Sequence, residues 1–191
     1  MLSNLMIFGE ASDNNTIDTP IEDHTDEHER RLSFTLANHQ DHVLIVTMND
    51  VTITSTSEPL KTITFTANRW AHFVAAVADI DDEAKELNRK TRPVAYRLHI
   101  GDGYYISVTG GIHCIDFRKF YVPYGLSYDQ ARPSKNGLSL RLDKWVHLMQ
   151  VIPTVHVTFP DLANAKRCID ENNYLSQRGW LQCISCFPFG H

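Results

Sequence analysis

From Arg31 onwards the chain alternates apolar and polar positions in short blocks. Leu32, Phe34 and Leu36 alternate with Ser33, Thr35 and Ala37. Residues 43–48 are apolar on both parities, and Val51-Thr52-Ile53-Thr54-Ser55 and Thr62-Ile63-Thr64-Phe65-Thr66 are rich in β-branched residues. A period of two in β-branched sequence predicts four strands. Asn49-Asp50 and Ser57-Glu58-Pro59 supply turns between them. The period then changes. Trp70, Phe73, Val74 and Val77 fall on one helical face, with Thr66 as N-cap. This helix is expected to run to Leu87, before Pro93.

The same order returns. Residues 96–100, 104–109, 112–122 and 137–142 read as four further strands. Gly101-Asp102-Gly103 and Gly110-Gly111 are hairpin turns, and residues 123–136 read as a long loop. Trp145, Leu148, Met149 and Ile152 predict a helix over 144–152, ended by Pro153. The run from Lys61 to Phe73 comes back about 75 residues later, from Asn136 to Leu148. In both copies alternating apolar positions lead into basic-Trp-small-His-apolar. Such a repeat implies two copies of one module. The predicted fold is therefore α+β, with two tandem ββββα modules (31–91 and 92–152) forming an intramolecular pseudo-dimer. Residues 153–191 have no counterpart in the first copy. A strand at 154–159, a helix at 162–175 and an apolar tail at 180–186 are expected there, serving packing or oligomerisation.

Charge sharpens the division. The net charge is −5 over 191 residues. By segment it is −7 for residues 1–30, −2 for 31–91, +4 for 92–152 and zero for 153–191. Residues 1–30, acidic and without period, read as a disordered or loosely attached tail. The second module is basic, so local charge matters more than the total. The N-terminus lacks the basic start and apolar stretch of a signal peptide, and no run reaches the length of a membrane span. Cys114, Cys168, Cys183 and Cys186 form no disulfide framework and read as reduced thiols of an intracellular protein.

A set of residues in the second module carries a family resemblance. Tyr96-Arg-Leu-His-Ile-Gly101, Tyr105-Ile-Ser-Val108, Ile115-Asp-Phe-Arg118-Lys-Phe-Tyr121, Arg132-Pro-Ser-Lys135-Asn-Gly-Leu-Ser-Leu140 and Lys144-Trp145 follow one another in that order. They resemble the family of the transcriptional coactivator positive cofactor four. Its pattern is two strands, an Asp-Ile-Arg-aromatic-aromatic strand, a Lys-Pro-x-Lys-Lys-Gly-Ile-Ser-Leu strand and a Trp-bearing helix. In the first module, Arg69-Trp70, Ala78-Asp-Ile-Asp-Asp82 and Leu87 are similar to the family's helix and its continuation. The resemblance implies a ββββα fold, dimerisation through helices, and binding of single-stranded DNA. Two copies in one chain would make a covalent pseudo-dimer.

A single-strand binder needs cations for phosphates and exposed rings for bases. On the strand containing Arg118, Ile115 and Phe117 share the parity expected for the core, and Asp116, Arg118 and Phe120 share the other. Lys119 and Tyr121 have core parity but lie at the strand end, where twist or a loop can expose them. By resemblance, Arg118, Tyr121, Arg132 and Lys135 occupy DNA-facing positions. Tyr105, Lys119, Phe120 and Arg141 complete the candidate surface. Arg118 could instead pair with Asp116 or Asp143, and strand aromatics are often core. Trp70 and Trp145 are core anchors, and His72 and His147 suit helix-surface or inter-module packing. This chain departs from the family at Asp102, at Gly110-Gly111 and at Asn136, where the family often carries cations or aromatics. The first module has no Arg-aromatic strand, which makes it a structural half.

Other chemistry has less support. Cys183-x-x-Cys186 with His191 falls short of the four ligands of a structural zinc site. No phosphate-binding glycine loop or catalytic constellation stands out. The expectation is a non-enzymatic protein without metal or cofactor, binding single-stranded DNA (or RNA) in transcription or replication. Homo-oligomerisation through the extension and contact with transcription or replication proteins are further expected partnerships. The location would be nuclear if the source is a eukaryote or a virus of one. The competing reading is an interaction protein that kept the fold and lost the DNA surface.

Overall fold

The computed structural model describes residues 30–37, 41–127 and 130–171. The expected acidic tail, the apolar segment 180–186 and the Cys183/Cys186/His191 group lie outside the described residues.

Each predicted block of alternation forms a strand. The first sheet contains β1 (Leu32–Thr35), β2 (His42–Val46), β3 (Asp50–Ser55) and β4 (Thr62–Thr66), antiparallel and in chain order. The second contains β5 (Ala95–Gly101), β6 (Tyr104–Thr109), β7 (Ile112–Tyr121) and β8 (Arg132–Arg141), again in chain order. The last strand of each sheet runs straight into a helix. α1 (Ala67–Ala75) follows β4, and α3 (Leu142–Thr158) follows β8. The residues at these two junctions, Thr66 and Arg141, have nearly the same backbone angles, with φ −64° and −67° and ψ 163° in both. Thr66 is the N-cap by position, but its side chain makes no capping bond.

Four sequence expectations change. The first helix is not continuous: it breaks at Ala76, and α2 (Val77–Arg89) continues from there. Pro153 does not end the second helix but lies inside α3. Proline removes one helical hydrogen bond. Ile152, Val155 and Phe159, all buried, hold the chain in register across that loss. Residues 154–158 are thus helical rather than a strand. Over its described part, to Glu171, the expected helix at 162–175 is instead two short ones, α4 (Pro160–Ala163) and α5 (Cys168–Glu171). Finally, β8 begins at Arg132, so residues 132–136 of the expected 123–136 loop belong to the strand. β8 is an edge strand, where the missing N–H of Pro133 costs no ladder bond.

The inward faces of both sheets and the helices enclose one apolar cluster. Trp70 and Trp145 are fully buried in it, as the pattern predicts. Rings cross between the halves: Phe73 meets Trp145 at 6.0 Å and Phe65 meets Phe117 at 5.9 Å. The polar contacts cross as well, and they do so reciprocally. Trp70 Nε1 donates to His156 Nε2 of α3 at 3.2 Å, and Trp145 Nε1 donates to Asp81 of α2 at 3.1 Å. Asp81 follows Trp70 by as many residues as His156 follows Trp145. Likewise Arg69 pairs with Asp102 in the β5–β6 turn at 2.8 Å, and Lys144 pairs with Asp41 before β2. Lys144 also donates to His42 Nδ1 at 2.9 Å. His147 Nδ1 accepts from Ala37 N–H at 2.8 Å.

Partly buried histidines make this arrangement sensitive to acid. Burial holds His42, His72, His99 and His156 below the ordinary histidine range, and the neighbouring Lys144 adds to the effect on His42. The unfolded chain takes up these protons first as pH falls. Stability should therefore be complete above about pH 6.5 and decline below it. Urea midpoints measured from pH 8 to pH 5 check this, and a flat profile down to pH 5 would refute it.

Candidate nucleic-acid interface

The outer faces of the two sheets differ in chemistry. On the first, Ser33, Thr35, Val43, Ile45, Thr52, Thr54, Thr62 and Thr64 take the parity opposite to the buried residues. Thr52 pairs with Thr64 at 3.0 Å and Thr54 with Thr62 at 2.7 Å. None of these side chains is a cation or an aromatic ring. The second sheet carries Arg97, His99, Tyr105, Asp116, Arg118 and Phe120 on the corresponding face.

Arg118 is held by its own sheet. Its Nε and Nη2 donate to the two oxygens of Asp116, both at 2.9 Å, and Nη1 donates to the Ser134 carbonyl at 2.8 Å. Ser139 Oγ donates to the same carboxylate at 2.7 Å. The Asp116 carboxylate raises the Arg118 pKa further above its usual range. The pairing with Asp116 that the sequence left open is thus the one formed. Arg118 also anchors a bulge. Phe120 faces Pro133 and Arg118 faces Gly137, so Lys119 alone opposes residues 134–136. A bulge of this kind re-aims side chains, and here it carries Lys135 and Asn136 to an exposed position. The Arg118 bond to Ser134 ties that bulge to β7.

Gly137 makes this possible. A Cβ there would stand 2.7 Å from Arg118 Nε and Cζ. Gly137→Ala must lift the guanidinium off the sheet, away from Asp116 and Ser134. Losing charge-assisted bonds of this type costs roughly 1–3 kcal/mol, and Lys135 should lose its fixed position. A thermal melt comparing Gly137→Ala with the parent checks the first effect; equal melting would contradict it.

The remaining candidates separate by place. Lys119, Tyr121, Arg132 and Lys135 are exposed and share the end of β7 and β8 where Tyr121 faces Arg132. Lys119 and Tyr121 escape their core parity at the strand end, as expected. Lys119 Nζ lies 5.3 Å from the centre of the Tyr104 ring, and Arg69 Cζ lies 4.4 Å from it. Tyr121 is half exposed, at 50%. Tyr124, fully exposed in the following turn, extends the same end, and sequence reasoning passed over it. Arg141 is not part of this group. It faces Cys114 at the opposite end of the strands, in a depression lined with His113, Ser139 and Asp143.

Phe120 and Tyr105 are not open platforms. Phe120 is buried, at 6% exposure. It packs edge-on to Tyr105 at 4.8 Å, Tyr105 packs on His99 at 4.9 Å, and the Arg97 guanidinium lies over Phe120 at 4.8 Å. Burial pushes the Tyr105 hydroxyl pKa up. Arg97 was missed because its place on an alternating strand is that of any surface cation.

No family model matches the chain, and neither a curated protein nor a solved structure matches it. Among the described residues no three His, Cys, Asp or Glu side chains are grouped as a metal site would need, and no helix is long and apolar enough to cross a membrane. Cys114 and Cys168 are buried and form no disulfide among the described residues.

Proposed function

We propose that this chain binds single-stranded nucleic acid, DNA in the first instance, through its second sheet, in transcription or replication. The observation that carries the reading is the grouping of Lys119, Tyr121, Arg132 and Lys135, all exposed, at one end of β7 and β8. Cations beside solvent-facing rings are what a flexible strand requires: phosphates are neutralised while bases find a surface to stack on. The order of residues resembling the positive cofactor four family supports the same conclusion.

The reading includes an architecture. The chain acts as a covalent pseudo-dimer of two ββββα modules, supported by the reciprocal Trp70–His156 and Trp145–Asp81 bonds. The halves have divided their roles. The first sheet, with a threonine-rich outer face that carries no cation, is scaffold, and the second holds the strand. One chain therefore binds along one sheet only. Fluorescence anisotropy with a labelled single-stranded oligonucleotide tests this, with the matching duplex as competitor. Saturable binding at low salt that the duplex displaces poorly is expected; absence of binding at low salt rejects the proposal.

A further inference from the structure

We propose that Arg97, laid over Phe120, is itself a stacking platform for a nucleic-acid base. The inference rests on the nucleic-acid reading and names the second contact that reading needs. Phe120, in the aromatic-aromatic pair that follows Arg118, looks from sequence like a ring that would receive a base. The residue is only 6% exposed, so its ring has little open face to offer. What solvent meets there is the guanidinium of Arg97, which is exposed and lies 4.8 Å over the ring. Among the described residues Arg97 makes no ion pair, unlike Arg69, Arg92, Arg118 and Arg167.

A guanidinium is planar, delocalised and weakly hydrated, so it stacks on an aromatic face and leaves its second face free. Arginine planes receive splayed bases as aromatic rings do. Phe120 fixes the plane from beneath, and Tyr105 and His99 fix Phe120 through ring contacts at 4.8 and 4.9 Å. The platform is thus ordered before ligand arrives, and little conformational freedom remains to be lost on binding. Lysine at this position would keep the charge and lose the plane.

Arg97→Lys separates the two contributions. Binding is measured by anisotropy on a thymidine oligonucleotide and on an abasic oligonucleotide of equal length. Loss of one stacked base corresponds to about a fivefold or greater weakening. Arg97→Lys should show that loss on the thymidine strand and bind the abasic strand as the parent does. Equal weakening on both strands, or none on either, overturns the platform. In that case Arg132→Ala still weakening both strands would leave the broader nucleic-acid reading standing. Failure of the unmodified protein to bind either strand would overturn both.

Discussion

Replacing Trp70 or Trp145 with Ala is expected to lower the stability of the whole chain by about 3–5 kcal/mol and to unfold both sheets together. Each ring is buried in the apolar cluster common to both halves. Each also bonds across to the other half, so removal leaves a cavity on both sides of the boundary and frees His156 or Asp81 of a partner. A domain of this kind holds only about 5–15 kcal/mol in total, so such a loss removes much of its margin. The diagnostic is where the loss falls. Hydrogen exchange read peptide by peptide should report that Trp70→Ala, in the first module, deprotects β7 of the second as strongly as β3 of the first. Trp145→Ala should do the converse. A variant that melts one sheet and leaves the other at its parental protection would show two independent cores and end the pseudo-dimer reading. Trp70→Phe and Trp145→Phe keep most of the ring volume and lose the Nε1–H bond. They should cost only about 1 kcal/mol each.

The contrast between these anchors and the candidate surface explains what the sequence made legible. Strands were readable because inward positions must be apolar, and burial enforces a period of two on Leu32, Phe34 and Leu36 or on Ile106 and Val108. The Trp-His helix was readable because the same core demand recurs in both copies. Arg132-Pro133-Ser134-Lys135-Asn136 was misjudged as loop because its composition is that of a turn. Its pairing depends on Arg118 reaching across to Ser134, a contact distant in sequence. The continuation of α3 past Pro153 was hidden for a similar reason. One lost backbone bond is outweighed by burial of Val155 and Phe159, which local propensity does not count. In the site, exposure is the quantity that alternation predicts least well. Phe120 and Tyr121 are neighbours of like chemistry, yet one ring is covered by Arg97 and the other is half open. That difference arises from the bulge opposite Lys119 and from a side chain on β5, neither of which has a local signature.

The second large effect concerns the exposed cations. The triple variant Lys119→Ala, Arg132→Ala, Lys135→Ala should bind single-stranded DNA at least about a hundredfold more weakly at 50 mM salt. For single strands each neutralised phosphate contributes a slope of about −0.7 in log K against log salt. Three contacts whose contribution vanishes near molar salt are then worth on the order of 10² to 10³ at 50 mM. The same arithmetic gives a sharper sign than affinity alone: the salt slope of the triple variant should be shallower by about 2. These side chains are exposed and Arg132 and Lys135 make no ion pair among the described residues, so folding should be little altered. Melting of the variant checks that directly. Arg118 is deliberately left in place, because its bonds to Asp116 and Ser134 would confound charge with structure. Lys61→Ala serves as the comparison: it removes a cation from the first sheet's β3–β4 turn, where Lys61 pairs with Glu58 at 2.6 Å. Its affinity and salt slope should match the parent. If Lys61→Ala costs as much as one third of the triple variant, both sheets bind and the division between scaffold and contact half is wrong. If the triple variant keeps the parental slope, phosphate contact lies elsewhere on the chain.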